Sequence, residues 1–501
     1  MHPEPARSPW WSLVPLCLAV GLYKIDSTIV NVALPSIQQD LRTTPASLLW
    51  TVNAYILALA AAIPLAGALG DRLGRRRVFL AGIAVFSLAS AACALAPSDE
   101  ALIACRAVQG LAAGVLVPLS MGIIGATFRH EHLPAAYGYW SGFSSLGIVV
   151  GPIAGGVLVQ HFGWSSIFWV NVPLGLLLLP LVRWLVEESR DPTPRRLDVV
   201  GAVLSTAGIL LVSWGLIGST TGISALELVV TALGAAALIG FVLWERRAPD
   251  PMLPLWFFRE PGFALGAVIG MVVYAYPAIM LLLTLYFQGI LGEPPQTAGL
   301  LFTPLAATLT VVAVFAGPIT KRVGALPSMA AGMALMSVGA LLFAVLPVGG
   351  SMTRLVAGEV VLAAGIMLAI PAAGAVMMAS VPRERAGVGS AAMQAFRQIG
   401  AVLGVAIFGA VAAVQTKAAY APTSTAANAP RVVQDAVGGE IDRVRAAAGE
   451  QAAALAAQAW TDGMHLAMLV IAALALGGAL LCLAVVRRRH HADHAHPAAA
   501  H

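Results

Sequence analysis

The sequence predicts an all-α membrane protein with 14 transmembrane helices, arranged as two pseudo-symmetric six-helix bundles plus two extra central helices. Three observations predict it. The first is composition. Only 11% of the 501 residues are charged and 59% are hydrophobic, against roughly 25% charged in a soluble domain. A soluble chain of this length has nowhere to hide so much apolar surface, whereas lipid is itself an apolar solvent. The second is the length and number of the apolar runs. The third is the placement of Lys and Arg between them.

A spanning helix needs about 20 predominantly apolar residues. Fourteen runs meet that length, over residues 12–34, 47–69, 78–96, 101–126, 136–159, 165–186, 197–218, 223–244, 262–287, 297–318, 327–347, 353–378, 389–415 and 463–486. Backbone groups in lipid must be satisfied within the segment, which selects helices. Barrel strands would alternate polar and apolar over about 10 residues, and these runs do not. The first run is too long for a signal-peptide core and lacks a small-x-small cleavage site, so it reads as span 1.

The connections then set the orientation. With the N-terminus inside, the cytoplasmic side holds Arg7, Arg72, Arg75, Arg76, Arg77, Arg129, Arg183, Arg190, Arg195, Arg196, Arg246, Arg247, Arg259, Lys321, Arg322, Arg383, Arg385, Arg487, Arg488 and Arg489. These are 20 of the 29 basic residues. The opposite side has Arg42, Arg354, Lys417, Arg431, Arg443 and Arg445, and Lys24, Arg106 and Arg397 lie within spans. Cytoplasmic loops of membrane proteins are enriched in Lys and Arg, so both termini are expected in the cytoplasm of a bacterial-type inner (plasma) membrane.

The chain repeats itself weakly. Gly67-Ala-Leu-Gly-Asp-Arg-Leu-Gly74 between spans 2 and 3 is echoed by Gly317-Pro-Ile-Thr-Lys-Arg-Val-Gly324 between spans 10 and 11. Gly147-x-x-x-Gly151 in span 5 is echoed by Gly400-x-x-x-Gly404 in span 13. Both echoes shift the chain by eight spans, which leaves spans 7 and 8 outside the repeat. The expected division is 1–190 for the N-terminal six-helix bundle, 191–250 for the two inserted helices, 251–490 for the C-terminal bundle and 491–501 for a His-rich cytoplasmic tail. Internal duplication is a feature of transporters, with the substrate site near the midplane.

Individual residues stand out against this background. Asp26 in span 1 is a carboxylate inside a membrane helix, an expensive placement that marks a functional candidate; the structural alternative is a carboxylate holding helices together through a partner. Lys24, two positions away, points to a different face. It is left to pair with another helix, to snorkel or to meet an anionic substrate. Arg106 in span 4 stays charged and must find an acceptor, with Asp26 and Glu359 as candidates and a proton-coupling or a purely structural pair as the two readings. In the loop after span 2, glycines allow a tight turn and Asp71 can face a helix N-terminus or an arginine. In span 5, small residues four apart allow close helix approach, and Pro152 removes a helical hydrogen bond. Asn31, Asn53, Tyr55 and Gln109 are candidate cavity residues in the first half. Glu359, placed near the outer end of span 12, Gln394 and Arg397 are candidates in the second.

These runs carry a resemblance. The loop Gly67 to Arg77 resembles the signature of the major facilitator superfamily between its helices 2 and 3, a cytoplasmic gate latch in that family, which implies roles for Gly67, Gly70, Asp71, Arg72, Gly74 and Arg75. The run Gly147 to Gly156 resembles the superfamily's antiporter motif, found in exporters, with Gly147, Gly151, Pro152, Gly155 and Gly156 as its parts. Asp26-x-x-Ile-Val-Asn-x-Ala-Leu-Pro35 resembles the first helix of the fourteen-helix drug:proton antiporter branch, from which Lys24 departs. Arg106 to Gly114 resembles the helix 4 motif, whose arginine is linked to proton transfer. Trp50-x-x-x-x-Tyr55, Gly163 to Pro173 and Leu197 to Gly201 also match the branch. The resemblance implies export of small organic molecules in exchange for protons by alternating access, with Asp26 and Arg106 coupling the proton. A proton-coupled importer or facilitator on the same fold, or a non-transporting membrane protein, is the alternative.

Other chemistry is excluded or not expected. No phosphate-binding G-x-x-x-x-G-K-S/T is present, so ATP does not drive the protein directly. Neither zinc spacing nor G-x-S-x-G is seen, so no enzyme, metal site or cofactor is expected, and the proton gradient is the energy source. Basic residues sit at loops rather than in a stripe with aromatics, which sets nucleic acid aside. Cys17, Cys93, Cys105 and Cys482 fall in apolar segments without paired spacing, and read as packing residues. The expected partners are the bilayer and a small-molecule substrate, with the chain acting as a monomer. Lys24 and the lack of an acidic residue in span 10 incline the expectation towards neutral or anionic cargo. The external segment 416–461 is Ala-rich, and the tail beyond Arg487 reads as solvated rather than metal-binding.

Overall fold

The computed structural model describes residues 8–129, 132–190, 198–218, 225–248, 251, 253, 255–381, 386–421 and 429–495. Arg7, Arg195, Arg196, Arg383 and Arg385 of the cytoplasmic charge set lie outside them. The helices are α1 Trp10–Leu41, α2 Pro45–Leu73, α3 Arg75–Ala94, α4 Asp99–Thr127, α5 Leu133–Phe162, α6 Ser166–Trp169, α7 Asn171–Leu185, α8 Val199–Gly218 and α9 Ala225–Glu245. They continue as α10 Pro261–Val273, α11 Tyr276–Leu285, α12 Pro295–Leu301, α13 Thr303–Val323, α14 Ala325–Phe343, α15 Met352–Ala379, α16 Ala386–Tyr420, α17 Pro430–Gly438, α18 Ile441–Ala448 and α19 Glu450–Ala495. Thirteen helical stretches among the described residues are long and apolar enough to cross a membrane. The 30-residue α5 supplies the remaining predicted span.

Three predicted spans are interrupted. Span 6 is the short α6 followed by α7, span 9 is α10 and α11 with a break at Tyr274–Ala275 and a closing π-turn over Tyr286–Ile290, and span 10 is α12 and α13 with a break at Phe302. Continuous apolarity carries no signal for such breaks, because each half is as apolar as the whole. Span 14 also starts earlier than its apolar run. The polar, Ala-rich stretch from Glu450 is helical, and together with α17 and α18 it builds a small helical cap. Val432, Ala436, Ile441, Val444, Ala453 and Trp460 form its buried face, so the described part of 416–461 is mostly helical, broken by short turns, and packed. The helix α19 likewise runs on to Ala495, past the predicted limit at residue 486.

The chain forms two compact units. The first is Met1–Met252 with Leu283–Thr303, and the second is Leu253–Leu282 with Pro304–His501. In the first unit, α1 packs on α5, α2 on α4, and α3 on α4 and α7. Helices α8 and α9 pack on each other and touch the rest through α2. Most of their large side chains, such as Val203, Trp214, Leu233 and Ile239, face outward. The segment Leu283–Thr303 joins this unit through Gln288, whose Nε2 donates to the Val32 carbonyl at 2.8 Å. In the second unit, α14 packs on α15 and α19, and α10 on α15 and α16.

The glycine echoes have a shared physical use. A Cβ on Gly147 would lie 2.6 Å from the Lys24 Cβ, one on Gly151 would collide with the Thr28 side chain, and one on Gly155 would lie 2.7 Å from Ile29 Cγ1. That face of α5 therefore seats α1. In the second unit a Cβ on Gly400 would collide with the Met271 backbone, and one on Gly404 would lie 2.6 Å from the Ala275 Cβ, so span 13 seats span 9. Span 5 on span 1 and span 13 on span 9 are related by the same eight-span shift. The loop echo repeats too: Gly74 has φ 104° and Gly324 φ 98°, the left-handed region that favours glycine. Gly151→Leu and Gly404→Leu are each expected to destabilise the protein by about 1–3 kcal/mol through overpacking. Gly477→Leu, at a position with nothing within 4 Å, is expected to leave the thermal unfolding midpoint in detergent nearly unchanged.

Candidate functional site

The polar residues of the first unit converge on Asp26. Span 1 places it in the middle of α1, with none of its surface exposed. Three helices supply its surroundings. Arg106 of α4 donates from Nη1 to Asp26 Oδ2 at 2.7 Å. Gln109, one turn further along α4, donates from Nε2 to Asp26 Oδ1 at 2.9 Å. Asn171, the first residue of α7, donates from Nδ2 to the same Oδ1 at 2.8 Å. Ser90 of α3 ties the two amides together: it accepts from Gln109 at 3.1 Å and Asn171 at 2.9 Å, and donates to the Phe168 carbonyl at 2.9 Å. A buried charge requires this treatment, because both desolvated ions must have their hydrogen-bonding capacity met.

Arg106 has more than one acceptor. The same Nη1 reaches Gln109 Oε1 at 2.7 Å, and Nε points at the Thr51 carbonyl at 3.5 Å. Its guanidinium carbon lies 4.0 Å from the centre of the Tyr55 ring and 5.8 Å from that of Phe168. Tyr55 in turn donates its hydroxyl to the Tyr23 carbonyl at 3.3 Å. Close approach of α2 and α4 makes this possible: a Cβ on Gly110 would collide with the Tyr55 carbonyl, so glycine lets Tyr55 sit over the arginine one turn away. Cys93 adds a weak thiol donor to Gln109 Oε1 at 3.7 Å.

Of the two candidate partners for Arg106, the structure selects Asp26. Glu359 lies in the second unit, fully buried rather than towards an end exposed to solvent. Its Oε2 accepts from the Leu305 backbone N–H in the first turn of α13 at 3.3 Å, while Oε1 has no partner among the described residues. Lys24 is half-buried and does not join the Asp26 cluster; its Cβ lies against Gly147, and its Nζ is 5.2 Å from the centre of the Tyr23 ring. Asn53 is fully buried with neither polar side-chain atom paired among the described residues, and Asn31 leaves its Oδ1 unpaired. Gln394 and Arg397 pair with each other on α16 at 2.9 Å.

The loop after α2 forms a second, separate cluster. Arg75 holds Asp71 from Nε and Nη2 at 3.0 and 2.9 Å, and its Nη1 donates to the Gly122 carbonyl near the C-terminal end of α4 at 3.1 Å. Asp71 therefore faces an arginine rather than a helix N-terminus. Glu188, beyond α7, accepts from the Arg76 backbone N–H at 3.0 Å and sits beside the side chains of Arg76 and Arg77. A carboxylate at the first turn of α3 suits the helix dipole. Gly74 is required twice over: its φ is positive, and a Cβ there would lie 2.7 Å from the Glu188 carboxyl carbon. A Cβ on Gly70 would collide with Leu119, whereas one on Gly67 would meet nothing within 4 Å. On α5, Pro152 and Gly156 face away from α1 towards α12, where a Cβ on Gly156 would lie 2.6 Å from the Pro295 carbonyl.

Ser90, Asn171, Thr51 and Glu188 complete these clusters without having been singled out as site residues. For Asn171 a signal existed: an amide in the middle of an otherwise apolar run. Ser90 carries none, since a hydroxyl in a membrane helix usually bonds its own backbone, and Thr51 carries none because it takes part through its main-chain carbonyl, which any residue offers.

Among the described residues, membrane-length helices enclose a buried ion pair caged by amides, with a charged latch at a helix-connecting loop, an arrangement that suits a membrane transporter. The chain belongs to the Major Facilitator Superfamily, whose family model matches residues 16–405. It is 33% identical over 491 residues, covering 95% of this chain and 91% of the relative, to the tetracenomycin C resistance and export protein of Streptomyces glaucescens. It is 35% identical over 420 residues, covering 83% of this chain and 78% of the relative, to the multidrug resistance protein Stp of Mycobacterium tuberculosis. Among solved structures, it resembles a bacterial homolog of the human lysosomal transporter Spinster with a TM-score of 0.68 at 16% identity, over 97% of this chain and 98% of the other. At that identity the likeness speaks for the fold alone.

Two predictions follow from the geometry of the site. Arg106→Met strands the Asp26 carboxylate and should cost about 3–5 kcal/mol of stability. The double variant Asp26→Leu/Arg106→Met should recover most of that loss in thermal unfolding of the detergent-solubilised protein. At the latch, Gly74→Ala should lower transport and the unfolding midpoint, while Gly67→Ala leaves both near wild type.

Proposed function

We propose that the protein exports small organic molecules, such as drugs, antibiotics or metabolites, across the bacterial plasma membrane in exchange for inward-moving protons. The proton gradient is its energy source, no cofactor takes part, and one chain works as a monomer with both termini in the cytoplasm. The observation that carries this reading is the Asp26 cluster: one membrane-buried carboxylate held by one arginine that has other acceptors within reach.

The chemistry follows from the donors and acceptors around the pair. While Asp26 is ionised, Arg106 neutralises it, and Gln109 and Asn171 satisfy its second oxygen. When Asp26 takes a proton, the pair loses its charge attraction. Arg106 is then left with Gln109 Oε1, the Thr51 carbonyl and the face of Tyr55, so the guanidinium is not stranded in an apolar interior. Aromatic faces and carbonyls are adequate partners for a desolvated cation. Proton binding therefore exchanges one set of contacts between α1 and α4 for another. A change of contacts tied to protonation is what a coupled transporter needs to bias one conformation over the other.

The direction of transport rests on the α5 motif and on the relatives, two of which carry resistance or export in their names. The predominance of Lys and Arg on one side of the spans supports the cytoplasmic placement of both termini. In inverted membrane vesicles with an imposed pH gradient, the wild type should accumulate a dye or drug substrate. Asp26→Asn should abolish the gradient-driven part while leaving downhill exchange. Unchanged gradient-driven accumulation in that variant would overturn the coupling role of Asp26.

A further inference from the structure

Span 12 contains a second membrane carboxylate, which the Asp26 site does not use. Glu359 lies two turns into α15, about 10 Å from its first residue, with none of its surface exposed. Its Oε2 accepts from the Leu305 backbone N–H at 3.3 Å, and Oε1 has no partner among the described residues. Asp26 marks the contrast: it receives three donors at 2.7, 2.9 and 2.8 Å, one of them a guanidinium. Charge-assisted hydrogen bonds are short, and the single contact to Glu359 is not.

No countercharge is at hand. Among the described residues no cationic group lies within ion-pair distance of Glu359. Helices α10 and α14, which pack on α15, contain no ionisable side chain. The α14 residue beside this turn is Phe343, since a Cβ on Gly358 would lie 2.6 Å from its Cε1. On α13 the cations are Lys321 and Arg322 in the last turn, roughly 24 Å along the helix from Leu305. On α16, Arg397 lies beside Gly374, which is roughly 22 Å along α15 from Glu359. Lys417 and Tyr420 lie in the last turn of α16, at the end that packs on α19. On α15 itself, Arg354 is exposed and donates to the Val345 carbonyl at 2.7 Å.

An ionised carboxylate buried without a cation is far more costly than a neutral one, and such a group takes up a proton instead. The start of α13 offers only a partial charge, and Pro304, with no N–H of its own, removes a neighbouring donor from that turn. We propose that Glu359 is a second proton-binding site, neutral in this conformation, that takes up and releases a proton separately from Asp26. Helix α13 is the second half of the broken span 10, and Leu305 lies in its first turn. The ionised form is the stronger acceptor, so release of the proton tightens the hold of Glu359 on that turn. Proton exchange at Glu359 thus acts on the contact between α13 and α15, as exchange at Asp26 acts on that between α1 and α4. In the transport cycle this proton adds driving force to the one on Asp26; that use rests on the export reading, whereas the proton binding does not.

The test uses the full chain in proteoliposomes, with infrared difference spectra recorded against pH. The wild type should show a protonated carboxyl band at neutral pH that disappears as the pH is raised. The band should be missing from Glu359→Gln and retained in Asp26→Asn. Glu359→Asp should shift the band rather than remove it, and it carries the test if Glu359→Gln does not fold. In inverted membrane vesicles, losing one proton per cycle should lower the limiting accumulation of a dye substrate about tenfold at a pH gradient of one unit, because each proton contributes a factor of ten per unit. Glu359→Gln should show that loss while keeping downhill exchange. A wild type without a Glu359-dependent band, a band that persists at every pH, or a band also lost in Asp26→Asn overturns the proposal. So does accumulation at the wild-type level in Glu359→Gln. A titrating, Glu359-dependent band together with a wild type that moves nothing under a pH gradient would leave the proton site standing and remove the export reading.

Discussion

The ion pair between Asp26 and Arg106 organises the first unit. Neither group can be left alone in a membrane interior, so the surrounding helices are arranged to serve both. Helix α4 brings Arg106 and Gln109 on one face, α7 begins with the amide that reaches the far oxygen, and α3 offers the serine that joins the two amides. The aromatic ring of Tyr55 closes the remaining side. Such a pair is weak evidence for stability, because desolvation offsets much of its attraction. Its consequence is geometric: it fixes which faces of α1, α3, α4 and α7 meet.

Close helix approach is the second constraint, and it is what lets a small set of side chains act across several helices. Without hydrophobic driving force inside lipid, helices associate through packing and small residues. Here glycines set where α1 meets α5, where α2 meets α4, and where α10 meets α16. The latch at the end of α2 follows the same logic in a wetter setting. Gly74 turns the chain so that the start of α3 receives Glu188, while Arg75 spans from Asp71 to the end of α4. Charge and backbone geometry together hold four helix ends in one place.

The two arginines within spans sit in different surroundings. Arg106 has a carboxylate, an amide and the Tyr55 ring around it inside the protein. Arg397 has an amide and a ring among the described residues. The charge is the same in both places, and what the neighbouring helices offer it differs.

By itself, the sequence determined that the chain is a bundle of membrane helices, roughly where each span lies, and that its glycine patterns recur along the chain. Apolar length, loop charge and glycine spacing are local quantities, and the bilayer imposes a strict rule on each. It also singled out Asp26, Arg106 and Gln109, since polar groups in apolar runs announce themselves. Only the tertiary structure decided that Arg106 answers Asp26 rather than Glu359, that Asn171 and Ser90 complete the cage, that Glu188 caps the latch, and that spans 6, 9 and 10 are broken. These depend on which helix faces meet and at what depth, and a one-dimensional pattern of apolar residues is the same for every such arrangement.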